Sequence, residues 1–225
     1  MIPTNLVLSP HPDDAVFSAF SVLSRKSVKT LTITCFNISS NTRIGSLPKL
    51  LVSPWRTIED MLALFLTGTA YHHLNLLDFG ARGKTSTRLE ADLRPIGPVR
   101  RIFCPLGVGS HPDHTAVRDF AISFWNDCGR KPQLWFYEDL PYAALARELD
   151  NEVLVKRISS LCGKLNEIRI PMTEAQFKRK MLICGAYVSQ RDIRQILRKH
   201  ARYVGRVIRA PYAEKLYFCT KDSII

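Results

Sequence analysis

Along this chain, short apolar runs alternate with helical stripes. Leu6, Val7 and Leu8 form a run expected of a strand buried in a parallel sheet. Pro10 and Pro12 stop it, and from Asp14 the residues Val16, Phe17, Phe20 and Leu23 mark one face of a helix. Thr30 to Phe36 alternates and is rich in β-branched residues, so it reads as the second strand. Asn37 to Pro54 reads as a long loop. Trp55 to Leu66 follows as a helix with Ile58, Met61, Leu62 and Phe65 as its buried stripe and Gly68 suited to its C-terminal cap. A strand is expected at Leu74 to Leu77, then a polar, basic stretch to about Arg94.

The second half repeats the plan. Arg101 to Cys104 is a buried strand, and Val117, Phe120, Ala121 and Phe124 share the face of the helix that follows a glycine-containing loop. Gln133 to Tyr137 is a strand, Ile168 to Pro171 a weaker one, and Thr173 opens a helix to Gly185 with Gln176 completing a capping box. A basic helical region and a last strand, Lys215 to Thr220, close the pattern. Strands alternating with helices predict an α/β fold: a Rossmann-like three-layer sandwich, its mostly parallel central sheet carrying the site at the carboxyl edge. One domain over residues 1–225 is expected, with the basic helices of about 173–210 on or beside it.

Composition narrows the class. A hydrophobic fraction of 46% and a charged fraction of 23% over 225 residues suit a soluble globular domain. No run approaches the ~18 apolar residues of a membrane span, and the amino terminus lacks the marks of a signal peptide. The six cysteines are dispersed with no C-x-x-C pair, which predicts reduced thiols in a cytoplasmic protein rather than a disulfide frame. The net charge of +12 favours acidic partners, although the arginines and lysines of the carboxyl-terminal third also suit a solvated face.

Chemistry enters at two matching turns. His11-Pro-Asp-Asp14 follows the first strand, and His111-Pro-Asp-His114 follows the strand ending at Cys104. A single H-P-D is also what a capped helix start looks like. Here three of only six histidines fall in two such turns, both at the ligand-binding edge of a parallel sheet. That brings His11, Asp14, His111 and His114 together with Asp13 beside them. Two histidines and one carboxylate, with a fourth position open, make the ligand set of a catalytic zinc site.

The motifs S-P-H-P-D-D-A at residues 9 to 15 and H-P-D-H at residues 111 to 114 resemble those of the LmbE-like, or PIG-L, family of zinc-dependent de-N-acetylases. Weaker likenesses are W-R-x-x-E-D at Trp55 to Asp60, Y-E-D-L-P-Y at Tyr137 to Tyr142 and Y-V-S-Q at Tyr187 to Gln190. The resemblance implies His11, Asp14 and His114 as zinc ligands, Asp13 as general base and His111 as the group stabilising the oxyanion. It implies acetate release from an N-acetylated amino sugar such as an N-acetylglucosamine derivative, anionic or glycoconjugate-linked ones included. Two departures stand out. Ala15 replaces a glutamate common in the family, and Gly107 to Ser110 offer no tyrosine beside the second motif.

Arg56, Asp78 and Arg82 are candidate substrate-binding residues; for Arg56 an ion pair with Glu59 or Asp60 on its own helix is the alternative. Asp113, Tyr137, Glu138 and Asp139 are candidates for holding a ligand histidine from behind. His72 and His73 are expected to be structural. Three rival readings are a relative hydrolysing a non-sugar amide, a two-metal phosphoesterase, and a nucleic-acid or anionic-membrane binder using the basic carboxyl-terminal helices. With catalysis as the main reading no nucleic-acid partner is expected, and the sequence does not reveal an oligomeric state.

Overall fold

The computed structural model describes residues 4–39, 49–82, 89, 93, 98–146 and 148–220. The elements run β1 (Thr4–Ser9), α1 (Asp14–Ser18), α2 (Phe20–Leu23), β2 (Thr30–Thr34), α3 (Lys49–Thr67), β3 (Ala70–His73), α4 (Phe79–Arg82), β4 (Val99–Pro105) and α5 (Pro112–Asp127). They continue with β5 (Gln133–Tyr137), α6 (Tyr142–Leu145), α7 (Glu148–Cys162), β6 (Leu165–Met172), α8 (Glu174–Cys184), α9 (Arg194–Val207) and β7 (Tyr212–Cys219).

All seven strands join one sheet in the order β3-β2-β1-β4-β5-β7-β6. β1 to β5 are parallel, and β7 runs antiparallel between β5 and β6. Leu6, Val7 and Leu8 are fully buried, as a central strand covered on both faces requires. From β1 the chain steps to β2 and β3 on one side, then crosses to β4 and β5 on the other. The strand order therefore reverses between β1 and β4, the place where open α/β sheets leave a crevice at their carboxyl ends.

Several elements differ from the hydropathy reading. The strand expected at Leu74–Leu77 lies earlier, at Ala70–His73; Leu77 makes only an isolated bridge to Ile38. α3 begins at Lys49, so the expected loop ends before Pro54, which lies inside the helix beyond the buried Val52. Residues 40–48 of that loop, and most of the basic stretch that ends near Arg94, lie outside the described residues.

The expected inner stripe of α3 faces outward. Ile58, Met61, Leu62 and Phe65 are exposed, whereas Val52, Glu59, Asp60, Ala63, Leu64 and Thr67 are buried. Both stripes repeat at 3.6 residues. Two acids that find hydrogen-bond partners inside decide the rotation, which hydropathy alone misreads.

The first helix is broken at Ala19 into α1 and α2. The carboxylate of Glu214 accepts the N–H groups of Phe20 (3.1 Å) and Ser21 (2.8 Å), and Lys180 Nζ donates to the carbonyl of Phe17 (2.7 Å). Lys180 and Glu214 pair at 2.7 Å with both side chains buried, so β7 and α8 hold the break shut. Removing one member of such a pair strands a buried charge. Lys180→Met is expected to lower the unfolding free energy by about 3–5 kcal/mol in urea titrations.

Candidate active site

β1 ends at Ser9, and the turn after it is stapled by that residue's hydroxyl. Ser9 Oγ donates to the carbonyl of His11 (2.8 Å) and accepts the Ala15 N–H (3.1 Å). Asp14 Oδ2 accepts the His11 N–H at 2.9 Å. Between them Asp13 sits at φ 101°, a region costly for any residue with a side chain. Surroundings that over-determine the bend hold it there. The Asp13 N–H points to Asp60 Oδ1 (3.4 Å), and Arg56 Nη2 donates to Asp13 Oδ2 (3.2 Å) and to the carbonyl of Pro12 (3.2 Å).

Asp60 is itself a buried hub. It accepts the hydroxyls of Tyr187 (2.7 Å) and Thr34 (2.8 Å), and His73 Nε2 lies 3.0 Å away. Its neighbour Glu59 accepts Trp55 Nε1 (2.7 Å) and the Ser189 N–H (2.9 Å). Arg56 therefore pairs with Asp13, not with the acids of its own helix. The W-R-x-x-E-D and Y-V-S-Q segments meet here.

The second turn lies beside the first. His111 caps α5, its Nδ1 accepting the Asp113 N–H at 3.3 Å. The rings of His11, His111 and His114 lie within 5.1–5.3 Å of one another, centroid to centroid. His11 Nδ1 and His114 Nε2 each stand 3.3 Å from Asp14 Oδ2. One donor atom from each of His11, Asp14 and His114 lies within 4.8 Å of the other two; His11, His111 and Asp113 form a second such group.

What stands behind the donors separates the two groups. His114 Nδ1 is 2.5 Å from Asp139 Oδ1, while its Nε2 is buried without a hydrogen-bond partner. His11 Nε2 is engaged by Asp113 Oδ2 (2.9 Å), which leaves Nδ1 toward Asp14. Asp113 is already committed to the Phe79 N–H (2.9 Å) and to Arg82 as well. A cation thus fits His11, Asp14 and His114, each histidine braced by a carboxylate on its other nitrogen.

The electrostatics agree. Burial disfavours protonated His11 and His114, yet adjoining carboxylates outweigh it: His11 is pushed up to about 9 by Asp113 and Asp14, and His114 is raised by Asp14 and Asp139. Burial works to raise Asp14, but the two histidines hold it below its ordinary value. Burial raises Asp13 to about 7 against the pull of Arg56, whereas burial and the neighbouring histidines lower His111.

The other expected residues are placed as follows. Asp139 also accepts the N–H groups of Gly107 (2.8 Å) and Val108 (2.9 Å), fixing the loop before the second turn. Tyr137 donates to the carbonyl of Leu8 (2.7 Å), and Glu138 pairs with His200 (2.9 Å) and Lys215 (2.6 Å), so neither braces His11 or His114. Asp78, just before α4, accepts the Ala81 N–H (2.8 Å), and Arg82 stacks 4.3 Å over the Phe36 ring while pairing with Asp113. His73 lies on β3 rather than ahead of a strand, and it has the carboxylate partner that its local sequence lacks.

A tyrosine does enter the site, from a distant segment. The ring of Tyr142, at the start of α6, is 5.3 Å from His114 and 6.1 Å from His111. Burial pushes its phenol up to about 12, so it stays a donor at neutral pH. Gly109, at φ 77°, lets the ring in; a Cβ there would lie 3.2 Å from it. The closing residue of Y-E-D-L-P-Y was the available signal.

No protein-family profile matches the chain. An alignment of 226 residues gives 30% identity to a 2'-N-acetylparomamine deacetylase of Streptomyces fradiae, covering 88% of this chain and 77% of that one. This chain belongs to the LmbE-like, or PIG-L, family of de-N-acetylases. Two solved structures share the family fold. The A40926 pseudoaglycone deacetylase matches with a TM-score of 0.73 at 23% identity over 95% of both chains. Teicoplanin deacetylase, in a zinc-inhibited form, matches with 0.73 at 20% identity over 99% of this chain and all of that one.

The braces behind this family member's histidines are testable. Asp139→Asn is expected to weaken divalent-metal affinity by about 10–100-fold, read by competition with a chromogenic chelator.

Proposed function

We propose that this chain hydrolyses the N-acetyl group of an amino sugar, releasing acetate and the free amine, with a zinc ion held by His11, Asp14 and His114. The observation that carries the reading is the meeting of these three donors, each histidine backed by a carboxylate, with Asp13 alongside. The relationship to an aminoglycoside deacetylase supports the amino-sugar class. When bound, such an ion polarises a carbonyl and lowers the pKa of water from 15.7 to roughly 7.

The chain's own residues supply the rest. Asp13, raised toward neutrality by burial and oriented by Arg56, accepts the proton of the attacking water and later returns it to the leaving amine. General acid–base help of this kind is worth about 10²–10⁴-fold. His111 accepts the Asp113 N–H through Nδ1, which leaves Nε2–H as a donor to the oxyanion. Losing such a donor costs roughly 2.7–4 kcal/mol of transition-state stabilisation. A two-metal phosphoesterase is disfavoured, because the two metal-competent groups among the described residues share His11. In our reading the reaction occurs in the cytoplasm, which six free cysteines support.

Acetate release from a panel of N-acetylglucosamine derivatives and N-acetylated aminoglycosides, with and without a chelator, tests the reaction. Turnover is expected to stop on metal removal and return with zinc. Asp13→Ala and His111→Ala should retain metal while kcat falls by at least a hundredfold, whereas His114→Ala should lose the metal. Equal metal content in all three variants would contradict the assignment.

A further inference from the structure

The outward face of α3 carries a row of exposed apolar side chains among the described residues. Trp55, Ile58, Leu62 and Phe65 recur at helical spacing, Phe65 at 69% exposure and Ile58 at 58%, with Met61 and Leu66 beside them. Isolated surface apolar residues are ordinary, but a continuous ridge of six marks an interaction surface.

The ridge does not end in neutral surface. Phe65 and Leu66 form one wall of a cleft of about 860 Å³ at the amino-terminal edge of the sheet, opposite the proposed reaction centre. Arg25, Lys26, Lys29 and Arg179 line that cleft, and no carboxylate does among the described residues. Arg179 also donates to the carbonyl of Leu66 (3.2 Å), tying the cationic rim to the end of the helix.

An apolar helix ridge continuous with a cationic cleft matches the layering of an anionic bilayer, apolar interior beneath negative headgroups. We propose that this flank docks the protein on an anionic lipid surface, with the α3 ridge at the acyl boundary and the cleft cations on lipid phosphates. A second copy of the chain fits less well. The acids on α3, Glu59 and Asp60, are buried, so ridge-to-ridge pairing offers the cleft no counter-charge from that helix. Nucleic acid would satisfy the cations but leave the aliphatic side chains of Ile58 and Leu62 in water.

Sedimentation of the full-length protein with phosphatidylcholine vesicles, with and without phosphatidylglycerol, tests the proposal. Binding is expected only to the anionic vesicles. Combined Leu62→Ser and Phe65→Ser, which leave charge unchanged, should weaken it at least about tenfold. Combined Arg25→Gln and Lys29→Gln should weaken it roughly thirtyfold, the loss expected for two basic residues at such a surface. Both variants should keep the parent's acetate release from a water-soluble substrate. Equal binding to neutral vesicles would overturn the proposal, as would undiminished binding by the ridge variant. Loss of binding only on changing Arg194, Arg198 and Arg202 on α9 to serine would overturn it too. Vesicle binding can be scored whether or not any sugar is deacetylated, so this result and that of the reaction assay are independent.

Discussion

Two neighbouring parallel strands that send the chain off in opposite directions leave a gap at their carboxyl ends, and both H-P-D corners must turn inside it. That constraint precedes any chemistry. β1 and β4 pair in register from Asn5–Arg101 to Val7–Phe103, so the corners after them emerge side by side although a hundred residues of sequence separate His11 from His111. Proline on each side of His11 and after His111 ends the extended run and starts the helix within a few residues. The imidazoles have little room to go elsewhere.

Placing three imidazoles and several carboxylates in a largely buried crevice is costly unless the groups find partners. The structure meets this by layering. The inner donors converge on Asp14, and behind them Asp113, Asp139 and Asp60 take up ring nitrogens, backbone N–H groups and hydroxyls. These outer acids have two jobs. They fix which nitrogen of His11 and of His114 faces inward, and they balance the charge that the inner cluster carries. Asp60 goes further by helping to hold Asp13 in a conformation the backbone would otherwise avoid.

The sequence made the centre legible because its residues sit in two contiguous words with matching surroundings. The apolar runs at Leu6–Leu8 and Ile102–Cys104 gave the strands, and the H-P-D spelling gave the turns. The supporting layer was harder to read. Asp60, Tyr187 and Ser189 are ordinary polar residues on separate elements, and only folding shows that they share a hydrogen-bond network. The rotation of α3 escapes hydropathy for the same reason. Periodicity reports that a stripe exists, whereas inner partners for Glu59 and Asp60 determine which stripe turns in. β3 was displaced by four residues because Leu74–Leu77 looks more like a strand than Ala70–His73, yet the latter pairs with β2.

The clasp of Glu214 on the Phe20 and Ser21 amides joins residues nearly two hundred positions apart. Tyr187 reaches Asp60 across 127 positions. A nascent chain that has emerged only as far as α7 already displays both H-P-D words and the Asp60 contact to the first corner, but it lacks the Glu214 clasp and the Tyr187 hydroxyl on Asp60. The last supports of the first corner thus arrive only with the segment from α8 to β7, after every side chain of the proposed centre has been made.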